Sequence, residues 1–190
     1  MVQGRIGRPE WGAGLMPVTI TDDDVFTALK AFIHNVLPDL ANADVRQGQQ
    51  NDVPMPPGPN FVIMTPIDRA ALATTVREYF PSEDPAPAPG SRETTRSTQV
   101  GVFVNFYGAN ATDNAQIFNQ LFQDLYGCDF LRPFSVQPLW CDDGRQMPLI
   151  DSEKQYVQRW MIRALMQINP TISTSQEFAD TVTITLVEAD

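Results

Sequence analysis

The longest extended run in the chain, "SEKQYVQRWMIRALMQINP", limits the possible folds more than any other segment. Tyr156, Gln158, Trp160, Ile162, Ala164, Met166 and Ile168 fall on one side of a two-residue repeat, and Arg159 and Arg163 fall on the other. A period of two belongs to a β-strand, and a strand with one apolar side needs a layer packed against that side. A second run has the same form: Val100, Val102, Val104 and Phe106 alternate with Gln99, Gly101, Phe103 and Asn105. Two long strands of this kind predict a sheet covered on one face.

Two segments of helical period supply the cover. Thr21 is placed to cap a helix, and Asp22, Asp23 and Asp24 put negative charge where the helix dipole favours it. Val25, Phe26, Leu29, Phe32, Ile33, Val36 and Leu37 follow at helical spacing until Pro38 ends the run. His34 lies beside this stripe, toward Lys30, and reads as a surface histidine. A second helix is expected over Ala111 to Tyr126, burying Ile117, Phe118, Leu121, Phe122 and Leu125. Asn110, Thr112 or Asp113 would cap its start, and Gly127 would close it in the left-handed position. Further strands are expected at Val45–Gln47, Phe61–Met64, Ala71–Phe80 and a closing run with Val182, Ile184 and Leu186 on one side. The order helix, strands, helix, strands predicts an α+β fold: a mostly antiparallel sheet with two main α-helices on one face. Residues 1–20 carry four glycines and no periodicity and read as a flexible N-terminal arm; residues 21–190 read as one domain.

Two loops stand out. Pro54, Pro56, Pro57 and Pro59 stiffen the segment before Phe61 and cannot donate to a ladder. "PSEDPAPAPGSRE", residues 81–93, is low in complexity and reads as a long projecting loop or lid.

Composition narrows the function. Thirteen Lys and Arg against 23 Asp and Glu give a net charge of −10, a field that repels DNA phosphates without preventing DNA from passing nearby. Two cysteines, Cys128 and Cys141, with one histidine make a structural zinc site untenable, and the thiols read as reduced. No apolar run approaches the ~20 residues that cross a bilayer, and the N-terminal residues lack an apolar leader core. The chain is therefore expected to be soluble, with no membrane partner.

The joint "FYGANATDNA" invites comparison with a phosphate cradle, in which backbone N–H groups of a glycine-rich loop converge on an anion. Here there is one glycine and no lysine, and Asp113 stands where the anion would sit. The structural reading, a turn at Gly108 followed by a capped helix, is preferred. Asp142-Asp143 reads as a solvated turn rather than a cation site, because adjacent carboxylates in a loop point apart. A nucleophilic cysteine or serine would need a histidine base, and the single histidine lies on the outer side of a helix. No cofactor or metal is expected. Carboxylate pairs formed in space stay invisible at this level.

One pattern links these segments. It comprises Arg46-Gln47-Gly48-Gln49, Asn51, Val53-Pro54, Pro56, Gly58-Pro59 and Phe61 to Pro66; then Tyr107-Gly108, Ala111 and Asp113-Asn114-Ala115; then Asp142-Asp143, Arg145 to Pro148, Ile150, Glu153, Gln155-Tyr156, Arg159-Trp160 and Phe178-Ala179-Asp180. From about residue 21 to the C-terminus it resembles the neck, or tail terminator, proteins of long contractile-tailed bacteriophages. Gly144 departs from the pattern, where a proline is expected. The matching residues are turn and packing residues rather than catalytic ones.

The resemblance implies a structural virion protein of the neck, assembled in the host cytoplasm. It would form a homohexameric ring on the tail tube protein, stop tube growth and dock a head-side connector or adaptor. The tail sheath is a further implied contact, and DNA would pass through the lumen without specific binding. The implied contact elements are the loops 52–59 and 81–92, the turn 142–147 and the N-terminal arm. Their candidate interface residues are Pro54, Pro56, Pro57, Arg92, Arg145, Gln146 and Met147, joined by Arg159 and Arg163 on the long strand. For those last two, pairing with acidic residues of an adjacent subunit stands beside simple surface solubility. The alternative function is a small acidic enzyme or ligand-binding protein with a carboxylate site.

Overall fold

Thr21 opens the first helix as its neighbours dictate. Its hydroxyl accepts from the Asp24 backbone N–H at 3.3 Å, and the Asp24 carboxylate accepts from the Thr21 backbone N–H at 2.8 Å. This reciprocal capping box satisfies two donors that a helix start leaves open. The bonds from Thr21, the backbone one foremost, hold the Asp24 carboxyl below its ordinary pKa. Helix α1 (Asp22–Val36) then buries Val25, Phe26, Ala28, Leu29, Phe32 and Ile33.

The computed structural model describes residues 18–50, 55–82, 90–150 and 156–177. After α1 come β1 (Val45–Gln47), β2 (Phe61–Ala71), β3 (Val76–Phe80), β4 (Gly90–Thr95) and β5 (Thr98–Tyr107). Helices α2 (Ala111–Phe122) and α3 (Leu125–Leu131) follow. The remaining strands are β6 (Gln137–Cys141), β7 (Arg145–Gln146), β8 (Leu149–Ile150), β9 (Tyr156–Val157), β10 (Arg159–Ile168) and β11 (Thr171–Gln176). The main sheet has the order β1-β2-β5-β10-β6, with β7 also pairing to β10. Its ladders are antiparallel except β1 with β2, which run parallel. The α+β class follows directly from this arrangement.

The two long strands meet as their periodicity requires. Ile162 lies opposite Val104 and Ala164 opposite Val102, so the apolar sides coincide. Those residues, with Val62 and Met64 of β2, are buried against α1 and α2. Phe32 of α1 is the centre of that contact, with edge-on rings of Phe118 at 5.8 Å and Phe122 at 5.9 Å. Edge-to-face packing sets the positive ring edge against a neighbour's negative face.

β2, β5 and β10 do not end with the main sheet. β3 follows β2, β4 precedes β5 and β11 follows β10, and the second sheet, β11-β4-β3, repeats their order. The main ladder stops at Ala71, Thr98 and Ile168; the second begins at Val76, Thr95 and Thr171. The result is a three-stranded extension whose outer strand β3 is exposed along its whole length. Residues 18 and 19, which belong to the expected N-terminal arm, are tied to it: Val18 bridges Ile172, and Thr19 bonds to Thr171 in both directions.

Several expectations need correction. The helix expected over Ala111 to Tyr126 is two helices, making three in all among the described residues, and Gly127 lies inside α3 rather than capping α2. A Cβ there would sit 2.6 Å from the Phe122 carbonyl oxygen, so glycine is required for close helix contact. Ile117, within α2, faces outward at 38% exposure, and Leu125, at the start of α3, is 67% exposed. Asn110 occupies the α2 cap position without a side-chain cap, and its N–H instead donates to Asn60 Oδ1 at 2.9 Å. The strand from Phe61 runs on through Pro66 to Ala71, and the strand expected at 71–80 starts only at Val76. Residues 90–92 belong to β4 rather than to a loop, and Arg145-Gln146 form β7 rather than a turn. Tyr156 belongs to the separate pair β8-β9 and is 79% exposed, off the apolar face of β10. The closing run 178–190 lies outside the described residues.

Candidate functional site

The described helices all pack on one face of the main sheet. The opposite face is built from the other half of each strand's alternation: Phe61, Ile63 and Thr65 of β2, Phe103, Asn105 and Tyr107 of β5, and Arg159, Met161, Arg163 and Leu165 of β10. Most are half-buried, shielding one another.

Several polar groups on this face are held by partners within the chain, although Arg163 Nε is buried without a hydrogen-bond partner among the described residues. Asn105 is 3% exposed; its Oδ1 accepts from Arg159 Nε at 3.0 Å and Nη2 at 2.7 Å, and its Nδ2 donates to the Ile63 carbonyl at 3.2 Å. The Arg159 guanidinium lies 5.6 Å from the Tyr107 ring centroid, and that ring stacks on Phe61 at 4.6 Å. Burial raises the Tyr107 pKa, against an opposing influence from Arg159, so the phenol is neutral near pH 7.

Asp68 reaches the same face because β2 is bulged. Opposite β5 the register slips between Pro66 and Asp68, so Asp68 lies against Gly101 rather than on the helix side. There it accepts from Arg163 Nη2 at 3.0 Å. A proline that cannot donate to the ladder, followed by one extra residue, is a recognised way to re-aim a side chain. Gly101 makes room, since a Cβ at that position would lie 2.1 Å from Asp68 Oδ1.

The residues singled out from sequence divide accordingly. Arg159 and Arg163 share this face but engage Asn105 and Asp68 of their own chain, so the expected pairing with a neighbour's carboxylates is not needed to explain them. Arg145 lies beside Met161 on β7, Gln146 lies opposite Trp160, and the Met147 N–H donates to the Arg159 carbonyl at 2.8 Å. All three are exposed. Pro56 is buried in the loop beside Ile63 and Thr65, Pro57 is exposed, and Pro54 lies outside the described residues. Arg92 is remote from this group, on the central strand of the extension. Sequence reading missed Asn105 and Asp68, and also Trp140, 57% exposed on edge strand β6 opposite Leu165. The one available signal was an asparagine among the apolar residues Phe103 to Tyr107.

The groups weighed for chemistry are dispersed. Burial pushes the Cys141 thiol up to about 12, and it is not joined to Cys128. His34 is half-buried rather than fully on the surface; burial, then Lys30, lowers its pKa, and Nε2 has no hydrogen-bond partner among the described residues. A groove of about 220 Å³ beyond the end of α1 carries Asp39 and Asp44 among Val36, Leu37 and Ile117. Asp44 is occupied there by the Gly58 N–H at 2.9 Å. At the α2 joint, Gly108 has φ +100°, and a Cβ would lie 2.1 Å from the Pro59 carbonyl oxygen. That glycine shapes a turn.

A model of the phage neck terminator protein family matches residues 23–190. The chain belongs to that family. It is a structural protein of the bacteriophage virion neck, whose role is exercised through contacts with other head and tail proteins. No curated protein matches it. For a neck terminator, the sheet face away from the helices and the exposed β6 edge are the natural candidates for contact surfaces, since they combine apolar area with polar groups already held in place.

Proposed function

We propose that this neck terminator forms a ring, six-membered by analogy with the tail terminators it resembles, on the last ring of the tail tube. The ring stops tube growth and offers its other side to the head-side connector or adaptor, with the tail sheath as a further neighbour. DNA passes through the lumen, and the net charge of −10 favours passage without gripping. Assembly takes place in the host cytoplasm.

The observation that carries this reading is the preorganised sheet face. Arg159 and Arg163 are already held by Asn105 and Asp68. Side chains ordered before docking lose less entropy when they dock. Trp140 and Leu139 extend the apolar surface along the β6 edge. A catalytic reading would need titratable groups gathered in a cleft, whereas on this face Asn105 is committed to Arg159 and Asp68 to Arg163.

The test is to add the purified chain to tail tubes polymerising from the tube protein of the same phage. Capping should arrest elongation and leave ring density at one end in negative stain. Trp140→Glu, at an exposed edge position, should reduce the capped fraction while leaving the melting temperature within about 3 °C, as surface changes do. Unarrested growth with the wild-type chain would refute the proposal.

A further inference from the structure

The three-stranded extension separates its charges by face. Glu78 of β3 and Glu93 of β4 are direct cross-strand partners, so their carboxylates share one face, with Val76 and Phe80 on the same side. Arg77 and Tyr79 point the other way, and Arg92 is the partner of Tyr79, so the two guanidinium groups share the second face. β11 adds only Ser173 beside Glu93 and Thr174 beside Arg92, which leaves both faces unneutralised. One side of a thin sheet is acidic and the other basic.

Among the described residues, neither set forms an ion pair. The ion pairs among the described residues are Arg69–Asp22, Arg132–Asp129 and Arg163–Asp68, and none involves these four. Arg92 Nε is shielded from solvent without a hydrogen-bond partner among the described residues. Glu78 and Glu93 are like charges directly opposite one another, which is destabilising on a ladder, and Arg77 and Arg92 are diagonal neighbours on the other face. The arrangement becomes favourable when a surface of opposite sign lies across each face.

We infer that the occupant of each face is the extension of another copy of this chain, the basic face of one copy stacking on the acidic face of the next. Charge complementarity decides for a second copy: the acidic face needs a flat basic partner of matching spacing, and the molecule itself carries one on its reverse. Because the two faces differ, the contact is head-to-tail, and a head-to-tail contact that closes generates a ring. This rests on the ring reading above and names a surface through which its copies join. Three strands about 4.8 Å apart and five residues long cover about 240 Å² per face. A stable pair buries about 800 Å² per partner. One stacked contact is therefore too small to hold two copies in solution, and the interaction counts in a closed ring, where every copy uses both faces.

The experiment uses the full chain and tail tubes of the same phage prepared without it, with the capped fraction read by negative stain. Glu78→Arg with Glu93→Arg makes both faces basic; Arg77→Glu with Arg92→Glu makes both acidic. Each double variant alone should lose capping at least tenfold. An equimolar mixture of the two should recover it by alternating around an even-numbered ring, and the fourfold variant, which exchanges the faces, should recover it without a partner. Recovery excludes misfolding as the cause of the loss. If the wild type caps tubes and the double variants cap equally well, or if neither the mixture nor the fourfold variant recovers, the stacking inference is overturned and the ring reading stands. If the wild type fails to cap tubes, the ring reading falls and takes the inference with it.

Discussion

Replacing Asn105 with alanine tests how the preorganised face is held together. The side chain lies on the central strand β5 and makes three hydrogen bonds, two of them from the Arg159 guanidinium and one to the Ile63 carbonyl. A hydrogen bond involving a charged group contributes about 1.5–3 kcal/mol and a neutral one about 1 kcal/mol. Arg159 is only partly buried, so water replaces part of what its guanidinium loses. The net loss should therefore be about 2–3 kcal/mol, well below the simple sum. At about 2–4 °C per kcal/mol for a chain of this length, the melting temperature should fall by roughly 4–12 °C. Arg159→Ala should cost less in exposed surface but leave Asn105 Oδ1 buried and unpaired. In a double-mutant cycle, measured by urea denaturation, the two should couple by more than about 1 kcal/mol. Additivity within about 0.5 kcal/mol would refute the reasoning, because it would mean that the guanidinium does not rely on this amide for its position.

Other expectations follow from single contacts. Gly108→Ala should destabilise by at least about 3 kcal/mol, since the new Cβ meets the Pro59 carbonyl oxygen at 2.1 Å and the φ of +100° disfavours any side chain; a melting curve unchanged from wild type would remove that turn from the account. Gly101→Ala should displace Asp68 and cost about 1–3 kcal/mol as overpacking, and Asp68→Ala in the same chain should return part of the loss, as read by chemical denaturation. The Cys141 thiol deprotonates near 8.5 in the unfolded chain but only at about 12 when folded. Stability should be insensitive to this group below pH 8.5 and should fall as pH rises from there toward 12, because only the unfolded state releases the proton. Cys141→Ala should flatten that slope in pH-dependent melts, leaving the same-signed contribution of Tyr107.

The limits of the sequence show most clearly at β2 and α2. The apolar alternation in Val100–Phe106 and Ile162–Ile168 was legible because both strands bury one face over many residues, and period two then determines which side chains are inside. The start of α1 was legible because a capping box is local: Thr21 and Asp24 are three residues apart. The extension of β2 past Met64 was not legible, because Pro66 reads as a stop and only the pairing with β5 accommodates it through a bulge. The division of the second helix was hidden because Leu121, Phe122 and Leu125 continue the helical spacing across the break.

The same division governs the assembly surface. The α+β layout, the acidic balance and the proline-rich loops are properties of composition and short-range order, and the family pattern rests on turn and packing residues read directly from the chain. The engagement of Arg159 by Asn105, 54 positions away, and of Arg163 by Asp68, 95 positions away, is decided by strand register alone. So is the sorting of Glu78 with Glu93 and of Arg77 with Arg92 onto opposite faces. Local periodicity dictates which side of its own strand a residue occupies. Only the packing of distant strands decides what lies beside it, because that depends on hydrogen-bond register across segments far apart in the chain.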